Sequence, residues 1–339
     1  MSVKRVSIAW VRAIVATAEA CGVDRAKLFD AVQLAPETIE GALGFVPLAK
    51  TVEIWSAAEK LSGDPHFGLK MGARVRPGYL SIVAYAMMSC GNFTEALLQA
   101  QRYQRLISEG GKLELRLEEP LASIVYWPQT DELAFSRHQI EAVLVVIIGF
   151  GRWLVSQELS PVEVRFTHPE PAETAEHRRV FGCPVVFGAT ENSIVLDRSW
   201  LEKPLPESDP QLHRTHAAQA DRRLSEMDAQ NVPEQIAAIL EGSGHFHWTR
   251  DHMAHRLGLS RRTLQRRLAE TGTTFRVLVD AYRHRAAAAL LADPEISISE
   301  VGFLIGFAEP STFYRAFKRW EGIPPAQYRR ERAGTPRGD

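Results

Sequence analysis

Arg262, Gln265 and Arg266 lie three and four residues apart in the run Arg261 to Leu268, whose apolar members Leu264 and Leu268 are themselves four apart. On an α-helix this spacing gathers the two leucines into one stripe and turns Arg262, Gln265 and Arg266 outward. The chemistry open to that outer face is hydrogen bonding to base edges. A guanidinium pairs bidentately with guanine in the major groove, and a glutamine amide with adenine. Arg261 beside them suits a phosphate, which positions a protein without specifying sequence. A second run, Ser311 to Arg319, turns Phe313 and Phe317 inward and Ser311, Thr312, Arg315, Lys318 and Arg319 outward. Pro310 precedes it, at a first-turn position where a missing N–H has no helical partner to lose.

Each outer face needs a supporting helix, and each has one. Thr249 is placed as the N-cap of a helix with Met253, Ala254 and Leu257 on one face. Gly258 ends that helix in the left-handed conformation that costs glycine nothing, and Ser260 caps the next. The plan repeats with Ile298, Val301 and Ile305, with Gly302 at the close-approach position held by Ala254 in the first unit. Gly306-Phe307 matches Gly258-Leu259, with a turn one residue longer. Between the two helix-turn-helix units, Phe275 to Leu291 reads as one long helix with an alanine run, Ala286 to Ala289. Such a connector sets the spacing of two reading heads, for which one turn of B-DNA is about 34 Å.

Leu259-Ser260, Thr263 to Leu268, Arg283, Ala287, Val301-Gly302, Ile305 to Phe307, Ser311, Phe313, Arg315 to Trp320, Gly322 to Pro325 and Tyr328-Arg329 together resemble the DNA-binding domain of AraC/XylS-type regulators. The resemblance covers about the last hundred residues. It implies base reading by Arg262, Gln265 and Arg266 in the first head, and by Pro310, Ser311 and Arg315 in the second. Proline at 310 departs from the polar residues often found there, which shifts the second head, with Thr312, Lys318 and Arg319, toward backbone contacts. The resemblance also implies double-stranded DNA as partner, activation more often than repression, and RNA polymerase as a further partner.

Charge agrees in sign. From Ala229 to Asp339 there are 16 Lys+Arg against 12 Asp+Glu, and before it 24 against 29, giving +4 and −5. A basic module thus follows an acidic one. With 339 residues, 45% of them hydrophobic, the chain is long enough for about two cores. The expected division is a sensing and dimerisation domain over 1–209, a linker helix with a break at Asp228 to Pro233 over 210–232, the reader over 233–333, and a flexible tail over 334–339.

The first domain reads as α+β. Helical patterns cover Ile8 to Cys21, Arg25 to Ala31, Leu48 to Ser62, Tyr79 to Met88, Phe93 to Ile107, Arg137 to Gln157 and Ala172 to Phe181. Strand patterns cover Lys112 to Leu117, Ala122 to Trp127, Val162 to Phe166 and two segments within Val185 to Leu196. Helices and small sheets of this kind do not make a cupin barrel. With Pro77 to Leu80, His168-Pro169, and Phe181 to Gly188 before Asn192, the domain is similar to the sensor domain of the OruR-like and VirS-like regulators. That resemblance implies a small effector, an amino-acid-like or acyl metabolite. Tyr79, Tyr85, Arg102, Tyr103 and Trp127 are the candidates to line its pocket, and the same aromatics serve equally well as ordinary core.

Other patterns imply little chemistry. His245, His247, His252 and His255 have no neighbouring cysteine and no ligand spacing, so they read as solvated, as do His213 and His216; no metal or cofactor is expected. No phosphate loop and no nucleophile–base pattern stands out, so the chain does not read as an enzyme. Cys21, Cys90 and Cys183 are odd in number and far apart, which suits a reducing cytoplasm. Arg12 and Glu19 interrupt the apolar stretch near the start, which reads as an amphipathic helix rather than an export signal. Ala142 to Phe150 reads as a buried helix too short for a bilayer. The expectation is a cytoplasmic, nucleoid-associated transcription regulator, with a homodimer reasonable from half-site recognition. An effector-independent dimeric regulator, or an enzyme delivered to DNA by the reader, is the alternative.

Overall fold

A computed structural model describes residues 4–41, 44–129 and 133–333; the tail expected at 334–339 lies outside them. The chain divides between Ser225 and Glu226 into two compact units.

In the first unit, strand β1 (Arg5–Ser7) runs into helix α1 (Ile8–Ala20), where the Ser7 hydroxyl accepts the Trp10 N–H as N-cap. Helix α2 (Arg25–Ala31), strand β2 (Phe45–Pro47) and helix α3 (Leu48–Ser62) follow, with β2 antiparallel to β1. Next come α4 (Phe67–Arg74), α5 (Pro77–Leu80), α6 (Ile82–Met88) and α7 (Phe93–Tyr103). The hairpin β3 (Gly111–Glu118) and β4 (Leu121–Pro128) leads to α8 (Arg137–Val155), β5 (Glu163–Arg165), α9 (Ala175–Phe181), β6 (Val185–Val186) and β7 (Asn192–Asp197). Strands β3 to β7 form an open sheet in the order β3-β4-β7-β5-β6, antiparallel except for β5 with β6. The unit is therefore α+β and not a barrel.

Most expected elements are present, with instructive differences. The helix expected over Tyr79 to Met88 is two helices, because Ser81 stands at φ 55° and ψ −140° between them. The helix expected to reach Ile107 tightens into a 3-10 turn at Gln104–Leu106. Helix α4 has no clear sequence signal, since Gly68 and Gly72 lower its helical propensity. Those glycines face α8: a Cβ at Gly68 would stand 2.3 Å from the His138 carbonyl oxygen, and one at Gly72 2.6 Å from the Val145 Cβ. Backbone contact of the two helices is what they provide. Helix α8, at 19 residues, is long and apolar enough to cross a bilayer by length and composition, longer than the nine-residue apolar run suggests, and most of it is buried against α4, α9 and β7.

Helix α10 (Pro210–Ser243) continues through Asp228 to Pro233, where the sequence suggests a break. On either side of Pro233 the stripe Val232, Ile236 and Leu240 is buried in the second unit, and that packing sustains the helix across the lost N–H bond. The second unit is all α: α11 (Arg250–Arg256), α12 (Arg261–Glu270), α13 (Phe275–Leu290), α14 (Ile298–Leu304), α15 (Pro310–Glu321) and α16 (Pro325–Ala333).

Candidate nucleic-acid interface and an apolar cavity

The first helix-turn-helix pair, α11 and α12, is built from the caps its sequence specifies. The Thr249 hydroxyl accepts the His252 N–H, Gly258 takes φ 64°, and the Ser260 hydroxyl accepts the Thr263 N–H. Leu264 and Leu268 are buried with Met253 and Ala254. Arg261, Arg262, Gln265 and Arg266 all point to solvent, Arg262 and its neighbours lying on the face away from those leucines. The second pair, α14 and α15, has Ser297 accepting the Glu300 N–H, and Glu309 before Pro310 without a side-chain cap. Phe313 and Phe317 are fully buried with Val301, Ile305 and Tyr328. Gly302 permits this approach, since a Cβ there would meet the Phe313 side chain at 3.1 Å. Pro310 is half-buried, and Ser311, Thr312, Arg315, Lys318 and Arg319 are exposed.

The exposed cations differ in what they touch. Arg261 stands 3.5 Å from Asp251, Arg266 pairs with Glu270, and Arg319 lies 2.9 Å from Asp280 of α13. Surface pairs of this kind are worth about 0–1 kcal/mol and yield readily to a phosphate. Arg262, Arg315 and Lys318 have no carboxylate partner among the described residues. Helix α13, about 24 Å long by its 16 residues, joins the two cores. Its Arg283 donates to the carbonyls of Phe246 (3.0 Å) and Gly306 (3.5 Å) and stacks on the Phe307 ring. Phe246 belongs to both apolar clusters.

The first unit contains a partly open cavity of about 140 Å³. Its walls come mainly from α1, α3, α6, α7, β3, β4 and α8, with Trp10, Trp55, Leu97, Tyr126, Val146 and Phe150 among the larger side chains. None of the five residues expected to line a pocket reaches this cavity, while Tyr79 lines a separate cleft of the same unit with Thr17, Arg74 and Arg76. Tyr79 packs at the edge of the helical core and Tyr85 is exposed. Arg102 and the Tyr103 hydroxyl both hold Asp221 of α10, each at 2.8 Å. Trp127 donates its indole N–H to Glu114 and lies under the Arg116 guanidinium. Tyr103 and Arg102 thus fasten the first part of α10. His213 and His216, expected to be solvated, assist: His213 lies 3.3 Å from the Ala86 carbonyl and His216 3.3 Å from the Ser89 hydroxyl.

One cluster has no sequence signal. Glu141 of α8 is fully buried, with Arg137 Nη1 and His177 Nε2 each 2.9 Å from Oε1, and His168 Nε2 3.6 Å away. His138 Nδ1 is 3.3 Å from Oε2 but accepts the Gly68 N–H at 3.2 Å, so that nitrogen has no proton to give and Oε2 has no hydrogen bond. Burial pushes the Glu141 carboxyl up; the neighbouring His138, His177 and Arg137 together outweigh it and hold the group well below the usual carboxylate range. Burial likewise pushes His168 below the ordinary histidine value. The participants come from four separate segments, which is why no spacing reveals them.

The family model described as the arabinose-binding domain of AraC transcription regulator, N-terminal, matches residues 22–205. A helix-turn-helix domain model matches 253–331, and a bacterial regulatory protein model of the Fis family matches 234–270. The ornithine utilization regulator of Pseudomonas aeruginosa is 28% identical over 326 residues, covering 96% of each chain. The HTH-type transcriptional regulator VirS of Mycobacterium tuberculosis is 25% identical over 290 residues, covering 84% of each. The crystal structure of the transcriptional regulator CdpR from Pseudomonas aeruginosa aligns over 89% of this chain and 95% of that one, at 22% identity and a TM-score of 0.44.

Proposed function

Because the chain belongs to the AraC-type transcription regulators, a DNA-binding family, we propose that it is an activator that reads a specific operator with two unequal heads and responds to a small effector held in its first unit. The observation that carries this reading is the exposure of Arg262, Gln265 and Arg266 on a helix whose opposite face is fully committed to the core. Those three read bases. Pro310, Ser311, Thr312 and Arg315 contact bases or backbone in the next groove, and Arg261, Lys318 and Arg319 take phosphates. Residues 1–209 sense and dimerise, and 233–333 read. The effector shifts the population of DNA-competent chains only as far as it binds the two states differently. RNA polymerase is the partner of activation, and the cytoplasmic nucleoid the place of work.

The test titrates the purified protein onto the DNA upstream of its own gene and onto random duplex at two salt concentrations. Saturable binding that prefers the upstream DNA and weakens with salt is expected. Equal affinity for both duplexes would overturn the reading.

A further inference from the structure

The cavity in the first unit is a place for an effector, and its walls restrict what that effector is. Among the described residues, no lysine, arginine or histidine lines it. Its one ionisable carboxylate, Glu114, is taken by Arg116 (3.1 Å) and the Trp127 indole (3.1 Å). The polar groups in the walls are mostly committed as well. Gln104 Oε1 accepts the Leu113 N–H and its amide donates to the Gln101 carbonyl. Gln139 is bound into the N-cap of α8, and the Thr51 hydroxyl donates to the Pro47 carbonyl. The Tyr126 hydroxyl and the Gln101 side-chain amide have no hydrogen-bond partner among the described residues, and both line the cavity. Tyr126 takes its place because Gly111 lies beneath it: a Cβ at 111 would stand 2.3 Å from the tyrosine oxygen.

On these observations, and resting on the reading of this chain as an effector-responsive regulator, we infer that the cavity binds an uncharged, mainly hydrocarbon molecule with one neutral hydrogen-bonding head, an amide or ketone, set against Tyr126 and Gln101. A dry apolar cavity of on the order of 150 Å³ takes up hydrocarbon without further help. A charged amino acid would bring an ammonium and a carboxylate out of water into walls that hold no free counter-charge, and nothing there replaces the lost hydration. A sugar would bring hydroxyls that outnumber the few free polar groups in these walls, leaving most of them buried and unpaired. The arabinose named by the family model and the ornithine named by the relative are both poor fits to this cavity.

The experiment loads the full-length protein with a neutral naphthylamine fluorophore and displaces it with nonanamide, nonanoate, L-ornithine or L-arabinose. Nonanamide is expected to displace it, nonanoate at least about ten-fold more weakly, and ornithine and arabinose not at all. Tyr126→Phe should weaken nonanamide by about three- to ten-fold, the loss of one neutral hydrogen bond, and leave the fluorophore in place. Leu97→Trp, which fills the cavity, should abolish both; if that variant fails to fold by circular dichroism, Tyr126→Phe carries the test alone. Displacement by ornithine or arabinose as good as by nonanamide would overturn the inference, as would a nonanamide affinity unchanged in Tyr126→Phe. If nonanamide binds as expected but operator affinity does not change, the ligand class stands and the effector-responsive reading fails.

Discussion

In the first unit, Arg137 and three histidines crowd within 3.6 Å of a fully buried Glu141, whereas in the second Arg262, Arg315 and Lys318 stand in solvent with no carboxylate in reach among the described residues. Both units use charge, to opposite ends. An ion taken out of water must be met inside the fold, so a matched cluster reports on architecture. A cation left unmatched on a rigid helix face has surrendered nothing to folding and is free to meet an external anion.

Removing charge therefore has different consequences in the two places. The largest effect is expected for Glu141→Ala, which strands Arg137 and should cost about 3–5 kcal/mol of stability, read from the denaturant midpoint of the full chain. A loss below about 1 kcal/mol would show that the buried cluster is not matched, and the contrast would collapse. Arg262→Ala should leave that midpoint unchanged yet cost about 1–3 kcal/mol of operator binding and relax specificity at one base pair. An equal loss on random duplex would move Arg262 from base reading to the backbone.

Acid should likewise touch only one of the regions. His168 is neutral in the fold, its pKa below the value of about 6.5 for an unfolded histidine, so the unfolded chain takes up the proton first and stability falls as pH drops below about 6.5. Glu141, also depressed, adds a second loss once pH falls below the unfolded carboxylate value of about 4.3. Denaturant midpoints followed downward from neutral pH should show the first of these declines, and His168→Gln should flatten it; a decline unaltered by that variant would assign it elsewhere. Lys318→Ala should weaken all duplexes alike and reduce the salt slope by about one, and a sequence-dependent loss would make it a base reader. The smallest effect is expected for Asp280→Asn, which frees Arg319 and should change stability by about 0–1 kcal/mol.

How much of this is legible in the sequence follows from how far apart the cooperating residues lie. Thr249, Ser260 and Ser297 cap helices within three residues of themselves, and Leu264 with Leu268 or Phe313 with Phe317 mark the inner faces at one helical turn, so the double helix-turn-helix can be read from local pattern. The first unit hides its essentials in distant pairings. Gly68 and Gly72 argue locally against a helix, and only the presence of α8 explains them. Ser81 breaks a helix whose periodicity runs straight on. The aromatic residues expected in a pocket are of the right type, yet Tyr103 and Arg102 serve Asp221, while the cavity gathers its walls from elements spread between Val6 and Leu154.

Phe246, shared by the two apolar clusters of the second unit, has a consequence for how that unit comes apart. Its ring stacks on Tyr282 at 4.9 Å while its carbonyl receives Arg283, so neither head keeps a complete core when the other is lost. The two heads are thus tied into a single cooperative transition, and a fragment cut between Gly272 and Phe275 would separate each from part of what holds it folded. An operator that engages one head alone still finds the other already formed.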